Sequence, residues 1–406
     1  MSTFTDSPEQ ARVINAPNDD DILVVAGAGS GKTYTMTRRI VTLIGNGVSP
    51  ERILGLTFTR KAAGELLERV SAAVADQSGA EGDADRMFLK PTISTYDAFF
   101  QTIVRQYGLL VGFDGDTQPL SDAGALQLAA DVVERHLDEL AAQGETDGIS
   151  KLARDVRGLS NAIASAMIGP KCPGYAEAIA EIRRWDGVFS KRVRAALGDE
   201  PVPDSLFTKK PPKRYKKYSE EQWQAAYEEY QANIQGNCVY RCNQLAQTAE
   251  RRDMLLDLVE EYNAEKRRRH MAEFGDFTIA AYQLVSRFPS IGRRYRERFS
   301  HILLDEYQDT STTQAMLLSA LFHPSDGESC SAVSAVGDPF QSIYAWRGAS
   351  PGAFRMFERD FDMPAGTVPY ALSTTRRNSR IVLEAANDLT LPLRTMPRRP
   401  SSAALR

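Results

Sequence analysis

The residues able to do chemistry are concentrated in two short strings. The first, Ala26-Gly-Ala-Gly-Ser-Gly-Lys-Thr33, has an apolar run before it and a helical pattern after it. Gly27, Gly29 and Gly31 let backbone N–H groups turn inward, and with Ala26, Ala28 and Ser30 they form a loop able to cradle phosphates. Lys32 has the reach for β and γ oxygens, and the Thr33 hydroxyl can ligate Mg2+. A Gly-rich turn with a solvated lysine is the bland alternative, but strand, loop, Gly-Lys-Thr and helix together favour the cradle. The second string, His301-Ile-Leu-Leu-Asp305-Glu306, is an apolar strand ending in two acids. It puts Asp305 where a metal ligand is needed and leaves Glu306 to orient or deprotonate water, so hydrolysis is expected rather than binding alone. A helix cap or a surface acid pair is the competing reading.

These strings need a scaffold. Short β-rich runs recur at Asp21 to Ala26, Ile53 to Thr59 and Pro91 to Tyr96, then at His301 to Leu304, Ser331 to Gly337 and Thr367 to Leu372. Helical patterns follow the first, second and fourth, at Thr33 to Leu43, Ala62 to Val74 and Thr312 to Leu321. That alternation predicts an α/β core with a parallel sheet covered by helices. From about Phe99 to Arg296 the rhythm stops and helices take over, with apolar stripes at Leu126, Ala130, Val133, Leu137, Leu140 and at Leu255, Leu258, Val259, Tyr262. Because the strands on either side make an incomplete sheet alone, this block reads as an insertion into the α/β core. The basic loop Lys209 to Lys217 is a candidate duplex or phosphate contact or a solvated loop, and Lys266 to His270 is a second basic run.

Composition narrows the class further. The chain has 406 residues, 42% apolar and 25% charged, which excludes disorder, collagen-like repeats and a single small module. A formal net charge of −4 means that any polyanion site must come from local clustering. Four scattered cysteines fit a reducing compartment, and Cys238 with Cys242 lack a second pair to complete a tetrahedral metal site. No apolar run reaches the ~20 residues of a membrane span, and the N-terminus has no signal-peptide core, so a cytoplasmic protein is expected.

The wording of Leu304-Asp-Glu-Tyr-Gln-Asp-Thr310 and Val336-Gly-Asp-Pro-Phe-Gln-Ser-Ile-Tyr-Ala-Trp-Arg-Gly-Ala349 resembles the UvrD/Rep/PcrA-like helicases of superfamily 1. Ser7-Pro-Glu-Gln10, Thr57-Phe-Thr-Arg-Lys-Ala-Ala63 and Ser94-Thr-Tyr-Asp-Ala98 support it, all in the family's order. The resemblance implies a RecA-like P-loop NTPase domain in two parts, residues 1–104 and 271–362, interrupted by a helical 1B-like insertion at 105–270. Residues 363–406 would be a truncated start of a second RecA-like domain plus a tail. It also implies ATP and Mg2+ as cofactors, and roles follow motif by motif. Gln10 would read adenine and Arg39 would lie near the nucleotide. Lys32, Asp305, Glu306 and Gln341 would serve the phosphates, metal and water, and Arg377 would act as an arginine finger. Phe58, Thr95, Tyr344, Trp346 and Arg347 would meet single-stranded DNA through sequence-tolerant stacking, with core packing as the alternative for the aromatics.

Departures from the family wording are Arg376 in place of an adenine-stacking tyrosine, Asp97, Arg60 and Pro339-Phe340. Of these, the Tyr96-Asp97 pairing and the Pro339-Phe340-Gln341 wording resemble the AdnB/RecB-like branch of helicase-nuclease subunits. The implied activity is ATP-driven 3′-to-5′ movement on single-stranded DNA and unwinding at single/double-strand junctions. After Asn387 no further motif is found, so a missing C-terminal half or a helicase-nuclease partner subunit is expected. The alternative activity is a hydrolysis-deficient module that binds ATP and single-stranded DNA. On its own, the strand at Thr367 to Leu372 is expected to have no sheet to join.

Overall fold

The computed structural model describes residues 5–78, 89–197, 213–214, 219–232, 234–324, 327–345, 348–364 and 366–395. Two compact units emerge. One combines Met1–Thr102 with Arg287–Arg406, and the other is Ile103–Ser286. The helical unit thus reaches past the expected boundary at 270, because Met271–Ala272 (β5) pairs with Gln118–Pro119 (β4) and carries the chain back into that unit.

The first unit is built on a six-stranded, all-parallel sheet: Ile22–Ala26 (β1), Ile53–Thr57 (β2), Thr92–Thr95 (β3), His301–Leu304 (β6), Ala332–Gly337 (β7) and Tyr370–Leu372 (β8). Its spatial order is β3-β2-β6-β7-β1-β8. Strands β6 and β7 lie between β2 and β1, so neither half of the sequence makes the sheet without the other. Every residue of β2 and β6 is buried, as expected for a parallel strand covered on both faces.

β8 corrects the expectation of an orphan strand. Val24, Val25 and Ala26 of β1 pair with Tyr370, Ala371 and Leu372, and Leu372 is buried in the core beside Ile40 and Val336. The exposed β1 edge supplied the partner that a strand read in isolation lacks.

Around the sheet lie Pro8–Ile14 (α1), Lys32–Gly45 (α2), Arg60–Ser78 (α3) and Tyr96–Tyr107 (α4). The second unit contributes Asp122–Arg135 (α5), Leu137–Ala142 (α6), Ile149–Ala166 (α7), Tyr175–Leu197 (α8), Glu220–Ala232 (α9), Ile234–Arg268 (α10) and Phe274–Arg287 (α11). Pro289–Arg298 (α12), Thr312–Phe322 (α13), Ala353–Asp360 (α14) and Arg380–Thr395 (α15) complete the chain. On α10, Leu255, Leu258, Val259 and Tyr262 are all buried, matching the sequence stripe. On α5 the buried face is Ala125, Leu128, Ala129, Val132 and Val133, so of the expected stripe Val133 is buried, as is Leu140 farther on, while Leu126 and Ala130 are half-buried. The helix stops at His136, so Leu137 starts a separate short helix and is exposed.

Inside the second unit Lys266 is buried, with Nζ 2.6 Å from Asp276 and 3.4 Å from Glu273. Tyr262 and Arg157 also bond Glu273, and Tyr175 bonds Asp276. Lys266 therefore belongs to a buried ion network and is not part of a surface basic run. Most of Lys209 to Lys217 lies outside the described residues.

Candidate functional site

Everything expected to touch the nucleotide lies in the first unit. The loop between β1 and α2 turns twice through left-handed backbone, at Gly29 (φ 74°) and Gly31 (φ 88°). Both positions also have no room for a side chain: a Cβ at Gly29 would overlap the Cβ of Arg377, and one at Gly31 would lie 2.8 Å from Gln10 Nε2. Helix α2 begins at Lys32 with no side-chain cap, so its first N–H groups face the loop's mouth. Ser30 Oγ is buried and without a hydrogen-bond partner.

Gln10 braces this loop. The Ser7–Gln10 capping box starts α1: Gln10 Oε1 accepts the Ser7 N–H at 3.0 Å while Nε2 donates to the Ser30 carbonyl at 3.2 Å. Arg39 is buried deeper. Its guanidinium donates to the carbonyls of Ile14, Ala16 and Pro17, fixing the α1–β1 connection from below. Burial holds its pKa below the ordinary arginine value.

The acidic string sits at the carboxyl end of β6, two strands away from the loop. Lys32 Nζ is 3.0 Å from Glu306 Oε2, which closes a sequence gap of 274 residues. Asp305 accepts the Glu306 N–H at 3.0 Å and the Thr57 hydroxyl at 3.3 Å, while buried Tyr96 donates to its carbonyl at 3.0 Å. Burial, and next the charge of Glu306, push the Asp305 carboxyl up to about 6. The same two causes raise Asp309 to about 6. Glu306 itself is held in left-handed backbone, φ 50°, one of three non-glycine residues so placed among those described. Such strain persists only where surrounding bonds enforce it.

The segment after β8 lies across the loop. The Thr375 hydroxyl donates to the Ala28 carbonyl at 2.8 Å and the Arg376 N–H to the Gly29 carbonyl at 2.9 Å. Ser373 is tied to Glu9 of α1 through its N–H (2.8 Å) and its hydroxyl (2.6 Å), and these bonds lower the Glu9 pKa. Arg377 is thereby carried to Gly29. Thr375, Ser373 and Glu9 had no role in the sequence reading, since nothing in their spacing marks contacts made across more than three hundred residues.

Beyond the acids, Gln341 Nε2 donates to Asp338 Oδ2 at 2.7 Å. Tyr344 and Phe58 are half-buried and stack, with ring centroids 5.7 Å apart and planes at 15°; Tyr96 tilts against Phe58 at 5.9 Å. Thr95 caps α4, its hydroxyl accepting the Ala98 N–H at 3.3 Å. In the segment leading to Tyr344, Phe340 and Ile343 are exposed at 77% and 70%. Trp346 and Arg347 lie outside the described residues.

Comparison with known proteins follows the same geography. A model of the UvrD/REP helicase N-terminal domain matches residues 6–362. The chain is 26% identical to an ATP-dependent helicase/nuclease subunit of Streptococcus thermophilus, aligning 94% of its own length with 38% of that protein. It is 27% identical to a probable DNA helicase II homolog of Rickettsia conorii, with 94% and 44% covered, and to the ATP-dependent DNA helicase UvrD1 of Mycobacterium tuberculosis, with 94% and 39% covered. The chain therefore spans about two-fifths of the length of these relatives.

Proposed function

Because the chain belongs to the UvrD/REP helicase N-terminal domain family, we propose that it is the nucleotide-hydrolysing part of a DNA helicase, turning over ATP as it moves 3′-to-5′ on single-stranded DNA. The observation that supports this most directly is the 3.0 Å pair between Lys32 of the phosphate loop and Glu306 of the acidic string. The residues fit a magnesium nucleotide. Two left-handed glycines shape the loop, the buried Ser30 hydroxyl lacks a partner, and the buried Asp305 carboxyl, bonded to the Glu306 N–H, stands at the end of β6 beside Glu306. Thr33 and Asp305 would hold Mg2+, which when bound supplies a Lewis acid to the β and γ phosphates.

The chain's own residues do the rest. Lys32 transfers from Glu306 to the phosphates, and Glu306, released, accepts a proton from water held in line. Gln341, bonded to Asp338, is assigned to sensing the γ-phosphate. Arg377 approaches the loop at Gly29 and adds positive charge where the transition state becomes more negative. Gln10 and Arg376 flank the loop on the side away from the acids and serve the base, the guanidinium plane of Arg376 stacking on it. Phe58 and Tyr344 offer π faces to successive bases, a contact independent of sequence, with Thr95, Trp346 and Arg347 assigned to the same strand.

ATP hydrolysis by the 406-residue chain, with and without single-stranded DNA and beside a Lys32→Ala control, tests the proposal. DNA-stimulated turnover that vanishes in the control is the expected result. Turnover surviving Lys32→Ala refutes the assignment of the loop.

A further inference from the structure

The most connected side chain at the acidic end of the sheet has no role in the scheme above. Gln308 is buried, two residues after Glu306 on a single 3-10 turn. Its Nε2 donates to Glu306 Oε2 at 2.9 Å and to Asp309 Oδ2 at 3.2 Å, while its Oε1 accepts the Asp338 N–H at 2.9 Å. Both amide hydrogens and the carbonyl oxygen are thus engaged. No other side chain of this length offers two donors toward carboxylates and an acceptor toward an N–H at once. The approach is close enough that a Cβ at Gly337 would overlap the amide oxygen, so that glycine keeps the passage open.

Glu306 Oε2 is shared between Lys32 at 3.0 Å and Gln308 at 2.9 Å. When Lys32 turns to the phosphates, Gln308 is the side-chain partner that stays with Glu306 among the described residues. The far end of the same amide grips the start of the segment that carries Tyr344. Asp338 accepts the Phe340 N–H at 3.0 Å and the Gln341 amide at 2.7 Å, and the Asp309 carboxylate also takes the Ile343 N–H. Residues 338–343 are therefore pinned to residues 306–309 at several points, and the next residue is the ring stacked on Phe58.

We propose that Gln308 is the positioning residue that aims the Glu306 carboxylate and links it to the Asp338–Tyr344 segment, so that nucleotide at the loop changes how the Phe58–Tyr344 stack receives a DNA strand. The inference rests on the ATPase and single-strand reading above. Its mechanical content is specific. Loss of the Lys32 bond leaves the Glu306 carboxylate with Gln308 as its side-chain partner among the described residues, and any shift of that carboxylate is transmitted through one amide to the Asp338 N–H.

The test uses the full chain with Gln308→Met, which removes both donors and the acceptor at similar length without adding charge, beside Gly337→Ala. Single-strand affinity is measured with and without a non-hydrolysable ATP analogue, together with analogue affinity, kcat and KM. In the unaltered chain the analogue is expected to change single-strand affinity by about 5-fold or more, the size of an ordinary coupling. In Gln308→Met that ratio falls to near one while nucleotide-free DNA affinity and analogue affinity stay within about 2-fold, and kcat drops ~10 to 100-fold at unchanged KM. Gly337→Ala, which displaces the same amide, shows the same split. A ratio that survives in a folded variant overturns the inference, as does an unaltered chain whose DNA affinity ignores the analogue. Loss of analogue affinity in step with kcat also overturns it, by making Gln308 a prop of the pocket. Failure of the underlying reading is distinguishable, because then the unaltered chain binds neither analogue nor DNA.

Discussion

Replacing Asp305 with asparagine should make the nucleotide-free chain more stable at alkaline pH while abolishing metal-dependent turnover. The carboxyl is buried, and burial together with the Glu306 charge raises it from the ordinary 3.8 to about 6. Each pH unit of such a displacement is worth about 1.4 kcal/mol, so the ionised group costs the fold up to ~3 kcal/mol at pH 8. The sign follows from the direction. With the folded value above the unfolded one, stability is fully present below about pH 4 and is lost as pH rises through about 6. Asparagine is a clean probe, because its Oδ1 can accept the Glu306 N–H now bonded at 3.0 Å and its amide can meet the Thr57 hydroxyl now at 3.3 Å. Urea unfolding of both chains from pH 4 to pH 8 should show a difference of about 1–3 kcal/mol in favour of Asp305→Asn at pH 8, shrinking toward zero at pH 4. Other carboxylates titrate in both chains and cancel. A difference independent of pH, or a variant less stable at pH 8, would refute the reasoning.

Phe58→Ala and Tyr344→Ala should each weaken single-strand binding by the ~1–3 kcal/mol of one stacked base and leave nucleotide affinity unchanged in the same titrations; equal loss of both would contradict separate roles. Thr375→Val removes the hydroxyl bonded at 2.8 Å to the Ala28 carbonyl. It should weaken nucleotide binding by about 0.5–1.5 kcal/mol, with Thr375→Ser restoring it in calorimetry. Lys266→Met leaves Glu273 and Asp276 buried without their cation, so chemical unfolding should show a loss of about 3–5 kcal/mol, far more than a surface lysine costs.

Legibility in the sequence tracked the range of the interaction. The phosphate loop, strands β1 to β3 with β6 and β7, and helices α2, α3 and α13 are local patterns of glycine placement and apolar periodicity, and those segments take the expected form. Asp305 and Glu306 were also readable, since a strand ending in two acids announces where its carboxyl end lies. Contacts across long gaps were not. The pairing of β8 with β1, the latch between Ser373 and Glu9, and the burial of Lys266 inside an apparently basic run depend on partners that periodicity cannot supply. The first helical stripe held in part: Val133 and Leu140 are buried as expected, Leu126 and Ala130 are half-buried, and the helix break at His136 leaves Leu137 exposed. Gln308 was in plain view inside the acidic motif, yet its importance comes from three bonds, one of them to the Asp338 N–H across thirty residues.

The charge layout of the site also dictates how nucleotide binding depends on a cation. The acidic end of the sheet gathers Asp305, Glu306, Asp309 and Asp338, and of these only Glu306 is bonded to Lys32 among the described residues. Positive groups lie on the opposite side, where Arg376 and Arg377 follow the strap bonded to Ala28 and Gly29. On the proposed reading a triphosphate between these walls would have its leading end directed at carboxylates, and moving Lys32 onto the phosphates would expose Glu306 to them. Repulsion between like charges in a part-buried site is worth several kcal/mol. On the proposed reading a divalent cation should therefore help the nucleotide to seat, beyond any role in the bond-breaking step. Analogue affinity should fall steeply when Mg2+ is chelated, and Asp305→Asn, by removing one of the repelling charges, should make that fall shallower. An affinity indifferent to Mg2+ in both chains would show that the acids do not face the phosphates.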